Sequence, residues 1–327
     1  MARSVIVTAE HFALARPFRI ARGVKSAIDV VTVCIHEDGI TGRGEGVPYP
    51  RYGESPASAL AAIAGVRPAL EQGATRRQLL QLLPAGAARN AVDCALWDLE
   101  LKRAGTSIWD RLGQTPPRQI ATAITISLDT PDNMALAAGQ LRDAALLKVK
   151  LDRHDPASRL RAVRAAAPGP ELIVDPNESW TMAEVRELQP LLAELRIGLL
   201  EQPLPAEADS ELQGFQPLVP IAADESVHTA RDLPALIGRY QAINIKLDKA
   251  GGLTAALELA DATAKAGLQL MVGCMVSTSL SIAPALPIAT RARFVDLDGP
   301  WWLAADRAGG VTCEQGMLSL PAAGFWG

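Results

Sequence analysis

From about residue 120 onward, short apolar runs alternate with helix-length amphipathic stretches. The runs fall at 121–127, 146–151, 172–175, 197–201, 220–224, 242–247, 268–273 and 293–297. Apolar strands separated by helices predict a parallel sheet covered on its outer face. Eight such units predict closure into a (β/α)8-type barrel, a modified TIM barrel of the α/β class. The first stretch of chain reads differently. Residues 5–7, 30–36 and 42–47 have strand character, and Asp38-Gly39 signals a hairpin between the last two. From Ser55 to Gly105 the period becomes helical, most clearly over 88–101, with Gly105 placed to end the helix. This predicts an α+β domain over 1–115, a barrel over 116–298 and a closing segment over 299–327 that returns toward the first domain.

Charge sharpens that picture. Lys150, Asp175, Glu201, Asp224, Lys246 and Asp296 each close one of the barrel runs. One charged residue per unit, always at the C-terminal end, is how a barrel builds an active site. Asp175, Glu201 and Asp224 come from adjacent strands. Brought together, they would raise one another's pKa values unless a cation intervened. Oxygen-only ligation suits Mg2+ or Mn2+; the alternative is a structural salt-bridge network with the lysines and no metal. The four histidines, His11, His36, His154 and His228, lack zinc-site spacing.

Lys148 and Lys150 share one strand face, flanked by Leu146, Leu147, Val149 and Leu151. Mutual repulsion and a nearby metal ion are expected to lower their pKa values toward the range of a general base. Lys246 lies four strands away, across the barrel. Two bases on opposite sides of one carbon predict removal of a proton from one face and delivery to the other, giving an epimer. The cation would hold the substrate carboxylate and the enediolate charge that develops.

Composition removes other classes. The chain has 327 residues, 49% hydrophobic and 21% charged, with a net charge of −4 and only three Tyr and five Phe. This argues against nucleic acid and anionic membranes as partners. Cys34, Cys94, Cys274 and Cys313 are widely spaced, as expected for free thiols in a reducing compartment. The N-terminus lacks a signal-peptide pattern, and the apolar stretch 268–290 is broken by Ser277, Thr278, Ser279, Pro284 and Pro287. A cytoplasmic protein with a small-molecule substrate is expected, with a homo-oligomer left open.

Several motifs together resemble the enolase superfamily, muconate-lactonizing subgroup: KVK at 148–150, DPN at 175–177, LEQP at 200–203, ADES at 223–226, NIKLDKAGG at 244–252 and ARNAVDCALWDL at 88–99. The last is similar to the helical part of that family's N-terminal capping domain. The resemblance implies Lys150 and Lys246 as the acid/base pair, Lys148 as the group that lowers the pKa of Lys150, and Asp175, Glu201 and Asp224 as ligands of Mg2+. Pro176 departs from the small residue often found there and is expected to stiffen its loop.

DLDGP at 296–300 resembles the DxD of dipeptide epimerases and implies that Asp296 and Asp298 hold a free α-ammonium; the plainer reading is an Asp-Gly turn. The segments at 20–23 and 49–55 look like loops that close over the barrel mouth. Arg22 would then pair with an acidic substrate side chain, whereas Arg51 reads as loop packing. Thr125 and residues 275–277 are expected to line the pocket or to pack its rim. The implied activity is epimerisation of a dipeptide with an acidic C-terminal residue, L-Ala-L-Glu or its D-Glu epimer, in recycling of cell-wall peptides. Within the superfamily a cycloisomerase, an o-succinylbenzoate synthase or an N-acylamino acid racemase is the alternative. A non-catalytic ligand-binding barrel is the alternative of another class.

Overall fold

The computed structural model describes residues 3–327. The chain begins with an antiparallel sheet of β1 (Ser4–Ile20), β2 (Gly23–Glu37) and β3 (Ile40–Gly46). The turn joining β2 and β3 carries Asp38 and Gly39, both with positive φ, as a tight hairpin of right-handed twist requires. β1 runs far beyond the predicted 5–7. Its outer half is largely exposed and its register shifts between Ala13 and Phe18, around Pro17, so it lacks the apolar alternation that marks a covered strand.

Helices α1 (Pro56–Glu71), α2 (Arg76–Leu82) and α3 (Ala87–Ala104) cover this sheet. Ser55 and Thr75 begin the first two with reciprocal capping boxes, and Gly105 ends α3 in the left-handed conformation. α3 lies directly on β3 because Gly42, Gly44 and Gly46 present no side chain along that face. A Cβ on Gly44 would come to 2.5 Å from Ala95 N and closer still to the Ala91 carbonyl.

After β4 (Gln119–Ala121) the chain enters the barrel. Its strands are β5 (Ile124–Ile126), β6 (Leu146–Lys150), β7 (Glu171–Asp175), β8 (Ile197–Glu201), β9 (Ile221–Ala223), β10 (Ala242–Ile245), β11 (Gln269–Gly273) and β12 (Phe294–Asp296). They pair in sequence order, all parallel. The ring closes between β12 and β5 through the Ala123 N–H to the Val295 carbonyl at 2.8 Å and the Leu297 N–H to the Thr122 hydroxyl at 2.9 Å. The outer ring is uneven. Full helices follow β5, β6, β7 and β10, whereas β8 is followed by a 3-10 segment and β9 by a single turn, Leu233–Leu236. β13 (Thr312–Glu314) and β14 (Met317–Ser319) fold back onto β4. Beyond them, the Trp326 indole donates to the Cys94 carbonyl and the Gly327 N–H to Asp98, both on α3. The four cysteines are free thiols, and no helix among the described residues is long and apolar enough to cross a membrane.

Period-two alternation explains the barrel interior. Ala123, Leu146, Ile173, Leu199, Ala222, Ala242, Met271 and Phe294, one from each strand unit, form a closed apolar plug. The intervening residues, such as Leu147, Val149, Val174, Leu200 and Ile245, face outward into the main core.

The glycine face of β3 makes a direct prediction. Gly44→Ala forces α3 away from the sheet and is expected to cost about 1–3 kcal/mol or more. Gly65→Ala on α1, where the new methyl meets nothing within 4 Å, should be neutral or stabilise by up to about 1 kcal/mol. Urea unfolding of the two variants checks the contrast; equal stabilities would remove the close-packing account.

Candidate active site

Two residues above each plug position, the same inward faces carry Thr125, Lys148, Asp175, Glu201, Asp224, Asn244, Gly273 and Asp296. Two further on stand Lys150, Asn177, Lys246, Met275 and Asp298. A polar layer thus rests on an apolar one, and the C-terminal mouth above it is a cavity. Lys148, Lys150, Lys246, Asp296, Asp298 and Thr125 line it from the barrel; Phe18, Ile20, Arg22, Lys25, Tyr49 and Tyr52 line it from the first domain.

Burying this much charge requires close pairing. The Lys148 ammonium lies 2.8 Å from Asp296 Oδ2, 2.8 Å from Glu201 Oε2 and 3.1 Å from Asp175 Oδ2. Lys150 donates to Asp175 Oδ2 at 2.5 Å and Lys246 to Asp224 Oδ2 at 2.7 Å. Lys249, one turn past Lys246, donates to Asp224 Oδ1 at 2.5 Å and also to the Asp224 carbonyl. The expected depression is not found at Lys148. Burial alone would lower Lys148 and Lys246, but the surrounding carboxylates, Asp296 and Glu201 for the first and Asp224 for the second, outweigh it and hold both ammonium groups well above the ordinary lysine value. Burial likewise would raise Asp175 and Asp224, yet their lysines hold them well below the usual carboxylate range.

Compensation falls short at two places. Burial pushes the Glu201 carboxyl up to about 8; Lys148 offsets this only partly, and Asp175 and Asp224 add to it. Its Oε2 makes no well-formed hydrogen bond, even to the nearby Lys148. Burial and then Asp296 push Asp298 up to about 6, although Asp298 Oδ2 accepts from the Thr125 N–H at 2.8 Å and the Trp302 indole at 3.3 Å. Among the described residues no three carboxylate, imidazole or thiolate groups already stand in metal-holding geometry, because the ammonium groups lie between the carboxylates. The donor chemistry nevertheless fits a hard divalent cation: three carboxylates on adjacent strands, with the central one under-compensated.

Local backbone strain accompanies the carboxylates. Asn177 and Glu178 just past Asp175, and Gln202 just past Glu201, have φ of 46°, 67° and 33°, a region costly for non-glycine residues and common at functional sites. Gln202 shows what holds it. Its Oε1 accepts from the Asp224 and Ser226 N–H groups, and its Nε2 donates to the Leu204 carbonyl, Ser226 and Tyr240. Asn244 donates to Glu201 Oε1 at 2.8 Å. Gly273 leaves room for both Asn244 and Lys246, since a Cβ there would lie 2.8 Å from the former's Oδ1 and 3.1 Å from the latter's Cε.

The cap loops meet the barrel through acids of the β7 and β9 loops. Arg22 lies 2.7 Å from Glu225 and 3.0 Å from Glu178. Arg51 grips the same Glu178 through two parallel bonds of 2.9 and 2.8 Å, so it is more than packing. Met275 and Val276 line the cavity and Ser277 is buried behind them. Gln202, Asn244, Lys249, Glu178, Glu225 and Lys25 were not picked out from sequence. Gln202, Glu225, Asn244 and Lys249 lie inside the motifs quoted above, and Asn244 also stands two residues before Lys246 on one strand face.

These features define a capped-barrel enzyme built for acid/base chemistry at a carboxylate–lysine layer. The chain belongs to the enolase superfamily: residues 133–325 match the enolase C-terminal domain-like family, and residues 2–113 match the mandelate racemase/muconate lactonizing enzyme N-terminal domain. Its relatives are isomerases. The L-Ala-D/L-Glu epimerase of Escherichia coli is 51% identical, covering 97% of this chain and 100% of that one. The N-acetyl-D-glutamate racemase of a Pseudoalteromonas species is 43% identical, covering 91% and 95%. Among solved structures, an enolase family member from Agrobacterium tumefaciens with homology to dipeptide epimerases, holding sodium and L-Ala-L-Glu, superposes with a TM-score of 0.96 at 47% identity over 99% of this chain and all of that one. The dipeptide epimerase of Enterococcus faecalis, complexed with Mg and L-Leu-L-Tyr, gives 0.91 at 31% identity over 99% of both chains.

The join between cap and barrel contains a titratable group. Asp248, two residues past Lys246, accepts from the Val47 N–H and from Asn90, both at 2.8 Å, and so sets the start of the loop that carries Tyr49 and Tyr52. Burial pushes its carboxyl up to about 7 despite those bonds. The folded value lies above the unfolded one, so this proton's contribution to stability is complete below about pH 4 and is lost as pH rises through about 7. Asp248→Asn keeps the acceptor and removes the titration. Relative to the unsubstituted protein, it should gain stability between about pH 5 and pH 8, by on the order of a few kcal/mol. Urea unfolding at both pH values checks this; a pH-independent difference would refute it.

Proposed function

We propose that the protein is a dipeptide epimerase that interconverts L-Ala-L-Glu and L-Ala-D-Glu by moving the α-proton of the C-terminal residue. The observation that carries this is the placement of Lys150 and Lys246. They rise from units four strands apart in an eight-stranded ring, yet both line one cavity. An α-carbon between them has an ammonium or amine on each face. One lysine removes the proton as the free amine while the other, as the ammonium, delivers one to the opposite face. Asp175 and Asp224 orient the two side chains through the bonds described above.

Asp175, Glu201 and Asp224 would hold a divalent cation, Mg2+ or Mn2+. When bound, that ion would grip the substrate carboxylate and draw off the carboxylate charge that raises the lysines. Lys148, packed against Asp175, Glu201 and Asp296, keeps this cluster from being overwhelmingly negative. Asp296 and Asp298 would receive the substrate's α-ammonium. Asp296 Oδ1 is buried without a hydrogen bond, and a second cation there relieves the repulsion that raises Asp298. Thr125 holds Asp298 in place, and the cap cations Arg22 and Lys25 face the acidic side chain. A cytoplasmic role in recycling cell-wall peptides is part of the same reading, since those peptides contain D-Glu.

A second reading, racemisation of an N-acylated glutamate, is favoured by the 43% identical racemase. Such a substrate has no free ammonium, so Asp298→Asn should weaken dipeptide turnover and spare N-acetylglutamate.

In D2O with Mg2+, the glutamate α-proton of L-Ala-L-Glu should exchange and the D-Glu epimer appear, as read by NMR. Lys150→Ala and Lys246→Ala should each lower epimerisation by about 10^2–10^4-fold, and each should retain more exchange on one epimer than on the other. Chelation should abolish turnover and Mg2+ restore it. Turnover of neither the dipeptide nor N-acetylglutamate would sink both readings.

A further inference from the structure

One face of the cap helix α3 closes on the loop that follows β10. Arg89, Asn90 and Asp93 lie on that face at i, i+1 and i+4. Arg89 donates to the Ala250 carbonyl at 2.6 Å and to the Gly251 carbonyl at 3.0 Å. Asn90 donates to Asp248, and Asp93 accepts from the Thr254 N–H at 2.9 Å and the Thr254 hydroxyl at 2.7 Å. So close an approach needs glycine: a Cβ on Gly251 would lie 2.4 Å from Arg89 Nε, and one on Gly252 2.4 Å from Asp93 Cβ. Arg89 is the unusual member of the set. It is buried, and its partners are neutral carbonyls, those two and Leu83 at 3.2 Å; among the described residues no carboxylate lies within ion-pair distance of it. Burial pulls its guanidinium below the ordinary arginine value, and Asp93 only partly offsets this. A buried cation without a paired anion costs stability that an apolar side chain would not, so what it holds matters.

The two carbonyls end a single helical turn, Leu247–Ala250, and Lys246 begins it. The Lys246 carbonyl accepts from the Ala250 N–H at 2.9 Å and from the Lys249 N–H at 3.1 Å. The turn therefore faces two ways. Lys246 and Lys249 reach Asp224, and the carbonyls at the other end, which a helix cannot satisfy internally, meet Arg89. Lys150 is held differently. The Leu151 N–H just past it donates to the Asp175 carbonyl at 3.1 Å. The Asp152 carbonyl accepts from the Trp180 indole at 3.1 Å, and the Asp152 carboxylate pairs with Arg159 at 2.6 Å. These partners belong to the barrel. One acid/base lysine is thus braced from the cap, and the other from the barrel itself.

We infer that Arg89 is a positioning residue for Lys246: it fixes the far end of the turn that Lys246 begins, so that docking of the cap sets the reach of one acid/base lysine and leaves the other to the barrel. Misplacing a reacting group by about 1 Å costs on the order of 10^2-fold in rate, and a turn released at that end is free to shift its first residue. The inference rests on the function proposed above and deepens it by tying one direction of proton transfer to α3.

The test follows α-proton exchange in D2O separately from L-Ala-L-Glu and from L-Ala-D-Glu, with Lys150→Ala and Lys246→Ala supplying the two reference patterns. Arg89→Met, of similar length but without donors, should lower kcat for exchange by about 10–100-fold on the epimer that Lys246→Ala impairs, and should leave the other epimer and both KM values within about threefold. Arg89→Lys keeps the charge and one donor. It should show the same bias at about 2–5-fold, and it carries the comparison alone if Arg89→Met does not fold. A general loosening of the cap slows both epimers together. Equal losses on the two epimers, a bias matching Lys150→Ala, or unchanged exchange overturns the assignment. Absence of exchange on both dipeptides and on N-acetylglutamate by the unsubstituted enzyme would overturn the proposed function itself, a result distinct from these.

Discussion

Everything at the mouth of this barrel follows from one constraint: carboxylates buried above an apolar plug must be met by cations at hydrogen-bond distance. Asp175, Glu201, Asp224 and Asp296 stand in the polar layer, and Lys148 alone touches three of them. Lys150, Lys246 and Lys249 take most of the remaining negative charge. The groups suited to moving protons are thus the same groups that make the layer foldable. The residual imbalance at Glu201 and Asp298 falls where a metal ion and a substrate ammonium would each supply positive charge.

The layer also dictates its supports. Gln202, at a strained φ, accepts from the Asp224 and Ser226 amides and so fixes the backbone around the carboxylate that pairs with two ammonium groups. Gly273, having no side chain, leaves room for Asn244 and for the Lys246 side chain. Farther out, the cap is joined to the barrel both by an apolar cluster, in which Ile28, Val30 and Val47 pack with Met275 and Leu303, and by buried polar contacts. Glu45 on β3 accepts from Thr278, just past the cavity-lining β11 loop, and pairs with Arg307 of the closing segment. Asp248 and Asn90 bind the start of the Tyr49 loop. Interfaces of this kind fix a register that apolar packing alone leaves degenerate. Barrel strands thus carry the carboxylate–lysine layer, and cap loops, held in place from behind, line the cavity above it.

Much of this was legible in the sequence, for a physical reason. Strands buried on both faces must be apolar except where a residue points into the polar layer, so Lys148, Asp175, Glu201 and Asp296 stand out from their runs. The cap was partly hidden. β1 beyond Val7 is half-exposed and interrupted around Pro17, and an edge strand of that kind has no strong periodicity. The raised value of Lys148 was also not readable, because it depends on how many carboxylates approach within about 3 Å, and spacing along a chain says nothing of that.

By itself, then, the sequence determined the parallel barrel, its α+β partner and the charged residues that close the strands, because alternation and strand-end chemistry are local properties. Only the tertiary structure decided how those charges pair. It placed Lys249 and Asn244 against Asp224 and Glu201, engaged Arg22 with Glu178 and Glu225, and left Lys25 on the face of Tyr49 with the cavity before it. Pairing is set by distances between residues far apart in the chain, and a one-dimensional pattern does not contain them.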